Sequence, residues 1–144
     1  MKKPKVVIYT DGACSNGHGG WAACVYWNTE VLNLMGNEDD TTNNRMELTA
    51  VIKALECLTT SCEIYLYSDS QYVLNGITSW VRSWKRNGWK SRKGEPVLNR
   101  DLWERISAMI SVHKIHTHWV KGHNGDPHNE AVDTLAQMMR QIPV

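Results

Sequence analysis

The sequence predicts an α/β fold with a mixed five-stranded sheet, made of an antiparallel meander plus parallel strands and flanked by helices. Two observations predict it. Three runs rich in β-branched and aromatic residues follow one another near the N-terminus with short polar segments between them, as in a meander. Later strand-like runs alternate with segments of helical apolar spacing, and a strand that follows a helix needs a crossover to a parallel partner.

The first half of the chain supplies the meander, one helix and a fourth strand. A Gly/Ser/Asn-rich segment after Thr10 is expected to be a loop. Thr42 to Asn44 offer N-cap side chains where the apolar period becomes helical. The expected strands are 5–10, 21–28, 30–38 and 63–68, and the expected helix covers 41–58.

The second half is mainly helical. Gly76 is expected to end a short helix, and Asn87–Gly88 to end the next. Asn99 is the expected cap of a third helix, and Asp126–Pro127 opens the last one. The expected helices are 70–77, 78–89, 99–113 and 128–142, and the fifth strand is 114–120.

The totals bound the class of protein. With 144 residues, the chain is expected to form a single catalytic domain over residues 1–144. The apolar run before Asp11 is too short for a signal peptide, and no stretch approaches transmembrane length, so we expect a cytoplasmic protein. The four cysteines contain no CxxC pair, and a Cys57–Cys62 disulfide is left open. The net charge is only +1, but six of the 16 basic residues lie within 70–94, where no acid occurs.

Two similar strings each end at an aspartate. "VVIYTDG" leads to Asp11 and "IYLYSDS" leads to Asp69. An aspartate after a strand is often only a turn former. If the two strands are parallel neighbours, however, both carboxylates lie in one crevice at the carboxyl edge of the sheet, where ligands bind in open α/β sheets.

Two helical acids are candidates to join them. Glu47 follows the start of the first long helix, where it is alternatively a capping-box residue that reaches back to Asn44. Asp133 lies in the last helix, away from its apolar side. Clustered carboxylates raise one another's pKa unless a cation neutralises them, and oxygen ligands of this kind suit Mg²⁺. Two such ions would support phosphodiester hydrolysis.

Longer strings carry a family resemblance over residues 5–137. "YTDGACS", "TTNNRMELTAVIKALE", "YSDSQYV", "PVLNRDLW" and "WVKGHNGDPHNEAVDTLA" together resemble the type 1 ribonuclease H family, as in bacterial ribonuclease HI. The resemblance implies a ribonuclease H-like fold. It also implies a metal-dependent endoribonuclease that cleaves the RNA strand of RNA–DNA hybrids and leaves 5′-phosphate and 3′-hydroxyl ends. Two Mg²⁺ ions would act in catalysis, and Mn²⁺ would substitute. We expect a monomer whose partner is the hybrid duplex, with no membrane association.

The resemblance assigns roles residue by residue. The metal ligands and catalytic acids would be Asp11, Glu47, Asp69 and Asp133, with Glu130 near the second ion. His123 would help to activate water or release product. The residues that would contact the minor groove or the RNA are Cys14, Asn16, Asn43, Asn44 and Gln71, and Thr42 with Asn44 would hold a DNA phosphate.

A basic block would grip the DNA strand. The resemblance implies phosphate contacts from Lys85, Arg86 and Lys90, and a sugar contact from Trp80 or Trp84. Tryptophans here would alternatively pack the protruding helix onto its neighbours. Asp40 stands where many bacterial members carry an arginine, so it is expected to weaken binding of DNA phosphate.

The sequence leaves three alternative functions to consider. A different nuclease or transposase on the same fold is disfavoured by Gln71 and the asparagine pair at 43–44, which would test ribose. A non-catalytic binding module is disfavoured because all four acids are present. A zinc site of His113, His116 and His118 lacks a cysteine or carboxylate at ligand spacing.

Overall fold

A five-stranded mixed sheet forms the centre of the fold. The computed structural model describes residues 2–122 and 125–143. The strands run β3-β2-β1-β4-β5 across the sheet, antiparallel among the first three and parallel for β1–β4 and β4–β5. The predicted meander and parallel pairs are thus confirmed. The strand bounds are β1 Lys5–Ser15, β2 His18–Trp27, β3 Glu30–Glu38, β4 Glu63–Ser68 and β5 Lys114–Trp119.

Helices cover both faces of this sheet. Two of them, α2 and α3, are joined by a π-helical turn, Gly76–Trp80. The α-helices are α1 Asn43–Glu56, α2 Gln71–Asn75, α3 Val81–Arg86, α4 Arg100–Ile110 and α5 Pro127–Arg140. No helix in the described part of the chain is long and apolar enough to cross a membrane.

The hydrophobic core consists of a larger cluster on one face of the sheet and a smaller cluster on the other. On one face, residues such as Ile8 and Ile64 pack with α1, α4 and Trp103, which is fully buried. On the other face, Tyr9 and Ala13 pack with Val132 and Ala136 of α5. Successive strand residues point to opposite faces, so Asp11 shares the α5 side with Tyr9 and Ala13.

The expected loop after Thr10 is wrong. β1 continues to Ser15 and forms a tight hairpin with β2. Asn16 and Gly17 both have positive φ, 53° and 80°, which is the geometry of a two-residue Asn-Gly turn. Asp11 therefore lies within a strand rather than at its end, although the parallel pairing of β1 with β4 does stop at Tyr9 and Tyr67.

The expected helix end at Gly76 is also wrong. Gly76 is helical, with φ −62°, and the backbone continues through the π-helical turn into α3. A Cβ on Gly76 would collide with the indole ring of Trp103. The glycine is therefore required by the close approach of α4 and not by a chain reversal.

The helix starts agree better with the sequence. Thr42 caps α1 by accepting from the Arg45 amide (3.2 Å), and Asp126 caps α5 by accepting from the His128 and Asn129 amides. Asn99 precedes α4 in a left-handed conformation (φ 61°), and its side chain caps nothing. All four cysteines are free, so Cys57 and Cys62 form no disulfide.

Candidate active site

The two similar strings become neighbours in register. Ile8 pairs with Leu66 and Tyr9 with Tyr67, so Asp11 and Asp69 each follow the last parallel pair by two residues. Ligand atoms of Asp11, Glu47 and Asp69 all lie within 4.8 Å of one another. The structure therefore brings together three of the four expected acids, one from β1, one directly after β4 and one from α1.

Glu47 is held by the strand opposite it. Its Oε1 accepts a 2.6 Å hydrogen bond from the Gly12 amide, and its side chain is buried. A Cβ at position 12 would collide with the backbone of Met46 and Glu47, so only glycine lets α1 approach β1 so closely. Glu47 is therefore not the capping-box residue considered from the sequence.

Asp69 is positioned by the end of β5 and the segment that follows it. The Trp119 indole N–H donates to the Asp69 carbonyl (3.3 Å). A Cβ on Gly122 would lie 2.9 Å from Asp69 Oδ2, so this glycine leaves room for the carboxylate. Sequence reasoning missed the supporting roles of Gly12, Trp119 and Gly122. The two glycines stand inside the TDG and KGH strings, which was the available signal.

Asp133 enters from α5, where it is partly buried. It interacts with the Asp11 carboxyl and helps to raise the pKa of that group. Glu130 is exposed in the first turn of the same helix. His123 lies outside the described residues.

The electrostatics of the cluster oppose ionisation. Burial is the main cause that raises the pKa of Asp11, and Glu47 and Asp69 add to it. Burial likewise raises the pKa of Glu47, although the Gly12 amide partly offsets it. Glu47 Oε2 is buried and accepts no hydrogen bond from the residues that the structure describes. A divalent cation would supply this atom with a partner and relieve the repulsion, so the donor set fits Mg²⁺.

The expected substrate residues lie on the elements that carry this cluster or next to them in the chain. Cys14 lies beside Thr41, with its thiol 3.5 Å from the Thr41 carbonyl, and Asn16 is exposed in the first hairpin. Exposed residues also begin two helices, namely Thr42, Asn43 and Asn44 at α1 and Gln71 at α2. Asp40 is exposed with φ 52°, a conformation that aspartate tolerates better than arginine does.

The tryptophans of the basic block have different environments. Trp84 stacks edge-on against the buried Trp103, with ring centroids 5.5 Å apart, and packs on the core. Trp80 remains 37% exposed. Lys85, Arg86 and Lys90 are exposed near it. Of the two tryptophans, Trp80 is thus the one with a face available to a ligand.

The three histidines considered for zinc have structural partners. His116 contacts Glu63 (3.0 Å), His118 stacks on Tyr67, and His113 accepts from the Cys62 amide. Over residues 2–122 and 125–143, the acidic trio is the one group whose ligand atoms converge for a metal ion.

A family model described as RNase H matches residues 3–141. The chain belongs to the ribonuclease H family. Among the relatives of this ribonuclease H, the ribonuclease H of Bradyrhizobium sp. (strain ORS 278) is 54% identical over 136 residues, which cover 93% of this chain and 88% of the relative. The ribonuclease H of Xanthomonas campestris pv. campestris (strain 8004) is 54% identical over 134 residues, which cover 92% and 89%. The chain is therefore a nuclease.

Solved structures agree with this family fold. LC9-RNase H1, a type 1 RNase H with the type 2 active-site motif, superposes with a TM-score of 0.85 at 30% identity, over 96% of this chain and 72% of the other. A foamy viral protease–reverse transcriptase in complex with RNA/DNA hybrid gives a TM-score of 0.76 at 20% identity, over 96% and 20%. The second likeness concerns the fold alone.

Proposed function

We propose that Asp11, Glu47, Asp69 and Asp133 hold two Mg²⁺ ions with which this ribonuclease H hydrolyses the RNA strand of RNA–DNA hybrids, leaving 5′-phosphate and 3′-hydroxyl ends. As a member of the family, the chain is an endonuclease that acts on the RNA of such hybrids. The single observation that carries the metal assignment is the convergence of three carboxylates within 4.8 Å.

The unpaired Glu47 Oε2 supports this assignment independently. A buried acceptor without a partner costs about 1–3 kcal/mol, and a bound cation would remove that cost. When bound, such ions supply Lewis-acid activation of water and neutralise charge on the leaving oxygen. Mn²⁺ accepts the same oxygen donors.

The residues of the chain would divide the remaining work. The Gly12 amide fixes the orientation of Glu47, and Gly122 leaves room for Asp69. Glu130, exposed one turn before Asp133, would act in the outer sphere of the second ion. His123 would move a proton during water activation or assist product release.

Hybrid selectivity would come from the residues on or next to the elements that carry the cluster. Cys14, Asn16, Asn43, Asn44 and Gln71 would contact the minor groove and test for ribose 2′-hydroxyls, which distinguish RNA from DNA. Thr42 and Asn44 lie at the start of α1, where helix N-termini favour phosphate.

The DNA strand would lie on the basic block. Lys85, Arg86 and Lys90 would contact its phosphates, with Trp80 against a sugar. Trp84, which packs against Trp103, would keep α3 in place instead. Replacing the three cations with alanine should raise KM and flatten its salt dependence; an unchanged salt slope would contradict the contacts.

The decisive assay compares labelled RNA–DNA hybrid, duplex RNA and duplex DNA, with and without Mg²⁺. We expect metal-dependent cleavage of the RNA strand in the hybrid only. Equal cleavage of duplex DNA would instead favour a general nuclease on this fold.

Variants test the assignment of individual residues. Asp69→Asn should nearly abolish turnover and leave hybrid binding intact, whereas the control Asp101→Asn, an exposed acid paired with Arg45, should keep activity. His123→Ala should slow cleavage without abolishing it. Normal turnover by Asp69→Asn would remove that residue from the metal site.

The remaining expectations concern the whole molecule. We propose that residues 1–144 form one catalytic domain that acts as a monomer in the cytoplasm. Light scattering on the purified protein measures its mass in solution, and fractionation of cells measures its location.

A further inference from the structure

A groove crosses the molecule at the end of the sheet opposite the acidic cluster. It lies between the π-helical turn with α3 on one side and the end of α4 with the start of β5 on the other, and its volume is about 530 Å³. Lys114 is the first residue of β5, whereas Asp69 follows the last residue of β4. Six strand residues separate the two levels, which is about 20 Å along the sheet.

The walls of this groove are cationic. Arg82 and Lys85 lie one turn apart on α3, so they face the same way, and Lys114 lies on the opposite wall. The hydroxyls of Thr78, Ser107 and Ser111 also line it. Among the described residues, no acid lines the groove, and Ile77, Val81, Ile110 and Ile115 supply apolar surface. We call these residues, together with His113, the basic groove.

His113 lines the basic groove, and its ring is held by a hydrogen bond. Its Nδ1 accepts from the Cys62 amide at 3.0 Å, and burial together with Lys3 lowers the pKa of the ring. A neutral imidazole that accepts at Nδ1 carries its proton on Nε2. The ring therefore offers an N–H donor.

The positive surface continues beyond the groove. Lys114 also lines a neighbouring pocket of about 350 Å³, whose other lining residues are Lys2, Lys3, Lys5 and Glu63. Glu63 is the acid on this surface, and it is already paired with Lys114 (3.7 Å) and His116 (3.0 Å). A strip of lysines and one arginine thus runs from the N-terminal segment to α3.

We propose that the basic groove binds the phosphodiester backbone of single-stranded nucleic acid, at a site separate from the catalytic cluster. Charge complementarity selects a polyanion, and the apolar floor accommodates sugars and base edges. The volume of the groove, about 530 Å³, suits a short stretch of one strand better than a duplex. No Phe, Tyr or Trp is among the described residues that line it, so the site is expected to bind backbone without base preference. A single-stranded extension of a bound hybrid is a natural occupant, since Lys85 belongs both to the groove and to the basic block.

Binding of a fluorescein-labelled oligothymidylate tests this site. An oligonucleotide of about 20 residues exceeds the roughly 4–16 nucleotides that single-strand binding folds cover. Fluorescence anisotropy in EDTA measures its Kd at several salt concentrations without involving catalysis. The double variant Arg82→Ala/Lys114→Ala removes two exposed cations, one from each wall. We expect about tenfold weaker binding at low salt, and a log–log salt slope that is smaller by about 1.4.

A matched control removes two cations elsewhere. Lys53→Ala/Arg105→Ala makes the same change in net charge on α1 and α4, where Arg105 faces Glu56 rather than the groove. It should leave the Kd within twofold of the wild-type value, and both double variants should cleave hybrid normally. If both double variants bound the oligothymidylate equally weakly, net charge alone would explain the loss of affinity and the proposal would be overturned. Displacement of the oligothymidylate by poly-aspartate, at equal concentrations of phosphate and carboxylate, would also overturn the proposal, because the site would then favour an acidic polypeptide.

Discussion

Replacing Asp11 with asparagine should stabilise the metal-free protein while weakening its proposed metal site. Asp11 is 3% exposed, and the ligand atoms of Glu47 and Asp69 lie within 4.8 Å of its own. At an effective dielectric constant of about 20, each ionised pair at that separation costs about 3.5 kcal/mol. Two such pairs cost about 7 kcal/mol. Taking up a proton is cheaper, so this repulsion adds to burial, which is the main cause that raises the pKa of Asp11.

The cost of that proton sets the size of the effect. The ordinary pKa of the group is 3.8, and each pH unit above it costs about 1.4 kcal/mol in a folded state that keeps the carboxyl neutral. The penalty is absent below pH 3.8 and grows as the pH rises toward the raised pKa. Asparagine mimics the neutral acid without this penalty. The free energy of unfolding of Asp11→Asn should therefore exceed that of the wild type by about 4 kcal/mol at pH 7 and by about 1.6 kcal/mol at pH 5.

Urea denaturation in EDTA, followed by circular dichroism at both pH values, measures this gain. The control Asp101→Asn loses an exposed ion pair with Arg45 (2.8 Å) and should change stability by about 0–1 kcal/mol in the destabilising direction. Mg²⁺ at ten times its Kd should stabilise the wild type by about 1.4 kcal/mol and Asp11→Asn by less. No gain in EDTA, or the same gain at both pH values, would refute the repulsion argument.

Three further predictions concern the fold. His18 lies 2.6 Å from Asp39 Oδ1 and 2.7 Å from the Ile142 carbonyl, and Asp39 is the main cause that raises its pKa. Because both partners only accept, both ring nitrogens of His18 must donate, which requires the protonated ring. The stabilisation that His18 gives the fold is therefore present at low pH and disappears as the pH rises through the raised pKa. His18→Gln should lower Tm at pH 6 more than at pH 9. Gly76→Ala should lower the free energy of unfolding, measured in urea, by about 1–3 kcal/mol, since the added Cβ would collide with Trp103. A stabilised variant would mean that the higher helix propensity of alanine outweighs the collision. Tyr72→Phe removes the hydroxyl that accepts from the buried Trp103 N–H (3.0 Å), so urea denaturation should show a loss of about 1–3 kcal/mol, and a change below about 0.5 kcal/mol would show that water replaces the hydroxyl.

The order of strands and helices could be predicted from the sequence because it follows from local patterns. Apolar alternation, helical spacing and caps such as Thr42 and Asp126 depend on a few neighbouring residues. The boundaries that failed involve distant partners. β1 extends past Asp11 because β2 pairs with it, and the helix continues through Gly76 because Trp103, 27 positions later, occupies the space beside it.

In the candidate site, too, some features follow from local sequence patterns and others from tertiary contacts. The strings predict the four acids and the substrate residues, because such a prediction needs only residue types and their spacing. The strings could not state how close the carboxylates lie, because that distance depends on the register of β1 with β4 and on how closely α1 approaches Gly12.

By itself, the sequence determined the family and the order of the elements, and it predicted the chemistry of the acids, since each depends on residue type and spacing. Only the tertiary structure decided that Asp11 and Asp69 lie in register beside Glu47, that Trp84 faces inward while Trp80 does not, and that cations from 2–5, α3 and β5 form one surface. The physical reason is that packing and strand pairing join residues far apart in the chain, where local patterns carry no information.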